Sequence, residues 1–259
     1  MKFDDLDAQM RVYETSVDYC VLPGLHIVAR IDGRNFTRLT KETGKFETPF
    51  DIKFRDLMVK TTKHLMNCGF KVVYGFTGSD EISLLFDIDI DLFSRKIRKY
   101  NSILAGEASA KFSLLFNDIG VFDCRICQLP SKKIVIDYFR WRNEDVHRNA
   151  LNAHCYWMLR KEGMDKKEAT KYLEKKSISE KNELLFSHGI NFNELPNWQK
   201  RGIGLYWIKE EKTGYNPKNN IEIKVEKNII KVDYDLPMRD EYSNFIEKIL
   251  ENNKSRHFV

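Results

Sequence analysis

The sequence predicts an α+β protein with a ferredoxin-like βαββαβ core, followed by a mainly helical region with a C-terminal β-hairpin. Two observations predict this class. Up to residue 129, hydrophobic patterns of period two and period 3.6 alternate in the order strand, helix, strand, strand, helix, strand. From residue 137 onward, helical patterns dominate until alternating stretches appear near the C-terminus. We therefore expect two domains, residues 1–136 and 137–259.

The elements of the first half follow from local periodicity and from residues that stop helices or form turns. Thr77 and Gly78 indicate a tight hairpin between the second and third strands, and Gly69 is a plausible end of the first helix. The predicted strands are 25–32, 71–76, 81–87 and 121–129, and the predicted helices are 51–69 and 91–116.

The second half contains three helical patterns before any alternating segment. Ser179 is a candidate N-cap for the third of them. A loop at 211–220 is expected to be mobile. The predicted elements are helices 137–163, 167–176 and 179–189, a strand at 202–209, a hairpin within 221–234 and a helix at 238–253.

Composition narrows the class of protein. Apolar residues make up 42% of the 259 residues, which excludes a disordered chain. No apolar run approaches the ~18 residues of a membrane span, and the N-terminus resembles no signal or transit peptide, so we expect no membrane association and a cytoplasmic location. The net charge is +5, and basic residues cluster at 94–100, 161–176 and 199–202. This distribution favours a polyanionic partner, although solvated helix faces would give the same pattern.

Five scattered cysteines argue against a disulfide framework. Cys124 and Cys127 form a C-x-x-C, but no second pair of cysteines or histidines follows. Both lie in an alternating strand pattern. We therefore favour a packing role for these two residues over a zinc or redox site.

Two neighbouring acids, Asp80 and Glu81, stand directly before the third strand. They are either solvated at a hairpin tip or compensated by a cation. In the predicted topology the first and third strands are adjacent and antiparallel, so Asp32, at the end of the first, converges on this pair. Clustered carboxylates repel one another, and Mg²⁺ removes that cost. Because neighbouring strand residues point to opposite faces, Asp80 is the expected ligand and Glu81 has a secondary role.

Several motifs resemble the tRNA(His) guanylyltransferase family, whose members add nucleotides to the 5′ end of tRNA in the 3′-to-5′ direction. The similarity covers roughly residues 5–207 and is carried above all by "ARIDGRNFTRLT" (29–40) and "GSDEIS" (78–83). Further segments align in order: "KFETPFDIKFRDLM" (45–58), "DYFRWR" (137–142), "EDVHRN" (144–149), "EKNELLFSHGINFNELP" (180–196) and "KRGIGLYW" (200–207).

The resemblance implies a polymerase-like palm that holds two Mg²⁺ ions. The implied ligands are the carboxylates of Asp32 and Asp80 and the backbone carbonyl of Gly33, with Glu81 beside them. It also implies that the nucleotide lies over the two motifs. The residues concerned are Asp32, Gly33, Arg34, Asn35, Phe36, Thr37, Ser79 and Asp80. Arg34 could equally be a solvated arginine, and the Phe36 side chain is expected in the core.

Other family positions carry two interpretations each. Asp51 matches an acid that contacts the base, but it is equally suited to cap a helix. A basic face near the triphosphate would comprise Arg95, Lys96 and Lys99, which could instead form a solvated stripe.

The helical half is expected to hold tRNA and a second, activating nucleotide. The matching positions are His147, Lys181 and Asn191. A lone histidine on a helix is often structural, but the position of His147 in the motif favours a functional role. By resemblance, the protein would be a homotetramer.

One departure bears on the substrate. Enzymes that mark tRNA(His) carry H-x-N-N-L-Y-N, whereas this chain has "HRNALNA" (147–153), with Ala150 and Asn152 breaking the pattern. Thr37 replaces a histidine common in those enzymes. The departure favours the branch that repairs 5′-truncated tRNA against a template. In this branch the 5′ end is first activated with ATP, and GTP or another NTP is then added. Guanosine addition to tRNA(His) is the alternative; a palm-type nucleotide cyclase and a non-catalytic RNA-binding module are the rivals.

Overall fold

The computed structural model describes residues 1–216 and 221–253. Nine helices of the described part are α1 (Phe3–Thr15), α2 (Phe36–Arg38), α3 (Ile52–Leu65), α4 (Ile97–Phe116), α5 (Lys132–Lys161), α6 (Lys166–Glu174), α7 (Ile178–Ser187), α8 (Asn197–Arg201) and α9 (Arg239–Asn253). The strands are β1 (His26–Gly33), β2 (Val72–Gly78), β3 (Glu81–Phe86), β4 (Phe122–Leu129), β5 (Ile203–Asn216) and β6 (Ile221–Asp233).

All six strands form one antiparallel sheet in the order β4-β1-β3-β2-β5-β6. The first four positions have the ferredoxin-like order that the sequence predicts. β5 pairs with β2 from Tyr74 to Thr77, so the C-terminal hairpin extends the sheet of the first half. Mixed helices and an antiparallel sheet confirm the predicted α+β class.

The sheet is covered on both faces because successive strand residues point to opposite sides. On one face, β1 and β3 residues such as Ile31 and Ile82 pack with α3 and α4. On the other face, Val28 and Leu85 pack with α5 and α9. A separate cluster around Cys155 unites α5, α6 and α7. The long helix α5 therefore belongs to two cores and connects the sheet to the helical region.

Several predicted boundaries are wrong for local reasons. α5 begins at Lys132 and not at 137, because Ser131 caps it by accepting from the Ile134 N–H at 3.4 Å. Ser177, not Ser179, caps α7, and it forms a capping box with Glu180.

The predicted helix at 91–116 begins with a separate turn, Leu92–Arg95, whose residues Phe93, Ser94 and Arg95 have φ values of 54°, 51° and 57°. This left-handed backbone breaks the helix before α4. The helix α1 was not predicted, and none of its residues is buried.

The hairpin expected within 221–234 is a single strand, β6, which pairs with β5 along its length. Of the loop expected at 211–220, residues up to Asn216 belong to β5 and residues 217–220 lie outside the described part. None of the helices in the described part of the chain has both the length and the apolar character that a bilayer crossing requires.

Candidate active site

The end of β1 and the start of β3 bring the predicted acids to one edge of the sheet. Asp32 stands opposite Glu81 in the antiparallel register. The Gly33 N–H donates to the carbonyl oxygen of Asp80 at 3.1 Å. The convergence expected from the strand order is therefore confirmed: Asp32, Gly33, Asp80 and Glu81 lie together.

The carboxyl group of Asp80 occupies an unfavourable environment for a charge. Burial is the main cause that raises its pKa, and the neighbouring Asp32 carboxylate adds to the effect. The Ser79 hydroxyl donates to Asp80 Oδ1 at 3.0 Å and partly offsets the shift. Ser79 itself adopts a left-handed φ of 55°, which turns the chain between β2 and β3. Burial, more than the neighbouring acid, therefore makes ionisation of Asp80 unfavourable.

Glu81 is held by two arginines. Arg142 donates from Nη2 to Oε2 at 2.9 Å, and its Nε lies 2.8 Å from Oε1 as an ion-pair contact. Arg30 also donates to Glu81 Oε2, and its guanidinium lies 3.5 Å from Asp32 Oδ2. Burial raises the pKa of Glu81, and the two guanidinium groups oppose that shift. Glu81 shares a sheet face with Asp32, which it opposes in the register, and it forms ion pairs with Arg30 and with Arg142 of α5. Its catalytic role stays a prediction.

The ion pairs continue along α5. Arg142, only 5% exposed, also contacts Asp145 at 3.1 Å, and Asp145 contacts Arg148 at 2.5 Å. Sequence reasoning missed Arg30, Arg142 and Asp145. The available signal was the Arg-x-x-Asp spacing on one helix face, which cannot show by itself that the arginine is buried.

No three His, Cys, Asp or Glu side chains in the described residues are arranged to hold a metal ion. The expected donor set contains only two such side chains, Asp32 and Asp80, together with a backbone carbonyl. Glu81 does not complete it as a third ligand. All five cysteines are free, and burial raises the pKa of Cys124 to about 12, which agrees with a packing role.

The segment after β1 combines an exposed surface with a buried anchor. Phe36 is 2% exposed, as expected of a core residue, and its ring lies 4.8 Å from that of Phe122 and 5.0 Å from that of Phe112. A Cβ at Gly33 would lie 2.5 Å from the Phe36 ring, so this position requires glycine. The side chains of Arg34, Asn35 and Thr37 are exposed, so they are accessible to a ligand at the sheet edge.

Asp51 is a helix cap in this structure. Its carboxylate accepts from the N–H groups of Glu47 at 2.9 Å, Lys53 at 2.6 Å and Phe54 at 3.1 Å. Burial acts to raise its pKa, but these donors hold the pKa below its ordinary value. Asp51 also lines a cavity, so both sequence interpretations are compatible with its position.

The predicted basic face of Arg95, Lys96 and Lys99 is wrong for Arg95. Arg95 is 8% exposed, and its guanidinium donates to carbonyl oxygens on both flanking loops. The acceptors are Val21, Leu25, Ile88 and Ile90. The left-handed turn before α4 directs this side chain inward. Lys96 forms an ion pair with Asp18 at 2.6 Å, and only Lys99 remains part of an accessible basic surface.

The three helical-region residues occupy different environments. The half-buried ring of His147 lies 5.3 Å from the Phe192 ring, and burial lowers its pKa. Lys181 lines an open cavity together with Thr37. Asn191 accepts from the Asn193 N–H at 3.1 Å and donates to Glu194 at 2.9 Å, so its side chain stabilises a local turn.

Comparison with known proteins gives a consistent result across nearly the whole chain. Residues 7–130 match the family model described as tRNAHis guanylyltransferase, and residues 133–246 match the model of the Thg1 C-terminal domain. The chain is 32% identical over 200 residues to the tRNA(His) guanylyltransferase of Schizosaccharomyces pombe, covering 73% of this chain and 76% of that protein. It is 31% identical over 205 residues to the probable tRNA(His) guanylyltransferase of Mus musculus, covering 75% of this chain and 68% of that protein.

Three solved structures of Thg1 and Thg1-like proteins are also similar to this chain. A bacterial Thg1-like protein in complex with GTP has a TM-score of 0.70 at 25% identity, covering 95% of this chain and 99% of that one. The same kind of protein in complex with ATP has a TM-score of 0.74 at 23% identity, with the same coverage, and shows likeness of fold. The enzyme from Saccharomyces cerevisiae has a TM-score of 0.68 at 29% identity, covering 74% of this chain and 90% of that one.

Proposed function

The chain belongs to the tRNA(His) guanylyltransferase family, a family of tRNA nucleotidyltransferases, and from this premise we propose that it adds guanosine to the 5′ end of tRNA(His). The curated relatives named above favour this activity over templated repair. The observation that carries the proposal is the apposition of Asp32, Gly33 and Asp80 at one sheet edge, where two carboxylates and a backbone carbonyl lie close enough to serve a common cation.

The donor set fits Mg²⁺. Carboxylate and carbonyl oxygens are its preferred protein ligands, and one or two carboxylates with substrate phosphates complete its coordination. Asp32, Asp80 and the Gly33 carbonyl would hold the ions. When bound, Mg²⁺ supplies charge stabilisation to the phosphates and acidifies an attacking hydroxyl.

The remaining residues of the site act on position and charge. The glycine at position 33 permits close approach of a phosphate to the backbone, and the exposed Arg34 beside it adds positive charge. Arg30 and Arg142 neutralise Glu81, so the acids of the site do not all repel the phosphates. We expect ATP or GTP to bind here, because a bacterial Thg1-like protein has been solved in complex with each of these nucleotides.

Templated repair of 5′-truncated tRNA is the second candidate, and one observation favours it. Ala150, where the enzymes that mark tRNA(His) carry asparagine, is 1% exposed inside the helical cluster. An asparagine at this position would bury an amide, which costs free energy unless the amide is hydrogen-bonded. Alanine avoids that cost, so the departure from the H-x-N-N-L-Y-N motif agrees with the position of this residue.

The test incubates the protein with ATP, GTP and Mg²⁺ and either tRNA(His) or 5′-truncated tRNAs of several identities. Addition of guanosine to tRNA(His) alone, irrespective of the opposing base, supports the proposed function. Addition only opposite a complementary base supports repair. Failure with every tRNA, by a protein that binds GTP and melts cooperatively, would contradict both.

A further inference from the structure

A cavity of about 150 Å³ lies directly behind the turn that carries Asp80. Its walls include Gly78 and Ser79, the two residues that precede Asp80. Five of the lining residues are aromatic, and they include Phe50, Trp157 and Trp198. Flat apolar walls next to the acids suit a nucleobase whose phosphates lie at the sheet edge.

The polar groups of this cavity include one side-chain amide, that of Gln199. Its Oε1 lies 3.1 Å from Nε2 of His154, a residue that is 9% exposed. The His154 ring is held between Phe50, at 5.2 Å, and Phe192, at 5.9 Å. The amide is therefore fixed by a buried partner, and no other hydrogen bond of its side chain occurs within the described residues.

The contact fixes which end of the amide faces the ligand. An amide oxygen carries no hydrogen, so Nε2 of His154 must be the donor. Burial also lowers the pKa of His154, which favours the neutral ring. The amide nitrogen of Gln199 is left as a donor toward the cavity.

We propose that Gln199, oriented by His154, is a specificity-determining residue that selects a purine with a keto oxygen at position 6. Guanine presents an acceptor at this position. Adenine presents an amino group there, which would face the amide N–H₂ so that both donors lack an acceptor. The acids Glu47 and Asp51 on the same lining can accept from the N1 and amino hydrogens of guanine. His154 is a positioning residue, because it acts through Gln199.

This inference rests on the proposed function, since it names the base preferred at the same site. Binding is measured first, without tRNA, by the change in tryptophan fluorescence on titration with GTP, ITP and ATP. ITP keeps the keto oxygen and lacks the amino group, so it isolates the proposed contact. We expect GTP and ITP to bind about tenfold more tightly than ATP.

The variants Q199E and Q199A test the residue. The carboxylate of Q199E accepts from the amino group of adenine, so the GTP-to-ATP preference should fall by roughly tenfold or more, and Q199A should lose most of the preference. His154→Phe keeps an aromatic ring but removes the donor, and should weaken the preference, measured as the ratio of GTP to ATP affinity. The matched control is Q128E, an exposed glutamine on β4.

A Q199E protein that melts like the wild type and keeps the wild-type ratio of GTP to ATP affinity would overturn the inference. A wild type that binds ATP and ITP equally would also overturn it. Either result would overturn the role of Gln199 and leave the proposed function standing. The proposed function fails only if the wild type adds nucleotides to no tRNA, whatever its base preference.

Discussion

Gly33 and Asp80 are joined by a backbone hydrogen bond of 3.1 Å, from the N–H of one to the carbonyl oxygen of the other. The bond connects the end of β1 to the turn before β3. It fixes the distance between two acids that are far apart in the chain, Asp32 and Asp80, so the geometry of the site depends on the backbone as well as on the side chains.

Replacing Asp80 by asparagine should abolish nucleotide addition and leave the fold intact. The loss of one charged ligand is expected to reduce the rate by roughly 10²–10³-fold or more, while tRNA affinity persists. Gel-shift and addition assays on the same preparation measure both quantities. Weak tRNA binding by D80N, at unchanged stability, would contradict the proposed role.

The same variant predicts a change in the pH dependence of stability. Folding raises the pKa of Asp80 above 3.8, so its contribution to the free energy of unfolding is fully present below that value. The contribution is lost as the pH rises through the folded-state pKa. D80N, which cannot ionise, should therefore show a smaller decline over this range, measured by urea denaturation at several pH values. A pH profile of D80N that matches the wild type would contradict the raised pKa of Asp80.

Arg142→Met should destabilise the protein strongly. Removing this guanidinium breaks two partly buried ion pairs and leaves Glu81 with Arg30 and Asp145 with Arg148. Breaking a buried pair typically costs about 3–5 kcal/mol, and we expect the lower end of that range because these partners remain. Adding Glu81→Gln to this variant should recover part of the loss. The control is Arg148→Met, whose side chain is 67% exposed and should cost less than about 1 kcal/mol. Equal losses in the two single variants would show that burial of the ion pair is unimportant.

Arg95→Met should reduce stability without reducing nucleotide affinity. The variant orphans four carbonyl oxygens that accept from this guanidinium, and we expect a loss of about 3 kcal/mol. Lys99→Met is the control on the accessible face of the same region. If Arg95→Met weakened GTP binding at unchanged stability, the position would contact the triphosphate after all.

Gly33→Ala should be poorly tolerated and Gly106→Ala well tolerated. The new Cβ at position 33 would lie 2.5 Å from the Phe36 ring, which has no free space to move, so we expect a cost of about 1–3 kcal/mol and a displaced motif. At Gly106 in α4 nothing lies within 4 Å, and alanine should stabilise the helix by roughly 0.5–1 kcal/mol. Thermal melts of both variants decide the comparison.

Much of the architecture was predictable from the chain. Period-two patterns identified β1, β2, β3 and β4, and their order with two helices specified the sheet topology that brings Asp32 to Asp80. Element ends were less predictable, because they depend on caps such as Ser131 and Ser177 that compete with nearby residues of the same type. The β5–β6 pairing was missed because a long alternating strand and a short hairpin have the same local pattern.

The sequence by itself determined the fold class, the family and the meeting of the acids, because periodicity and motif spacing are properties of the chain. Only the tertiary structure decided which charged side chains are buried. Glu81 and Arg95 belong to motif or basic segments, yet the face of a strand and a left-handed turn direct them to partners distant in sequence. The free energy of a charge depends on those partners and on its burial, and neither is encoded in the residue or in its neighbours.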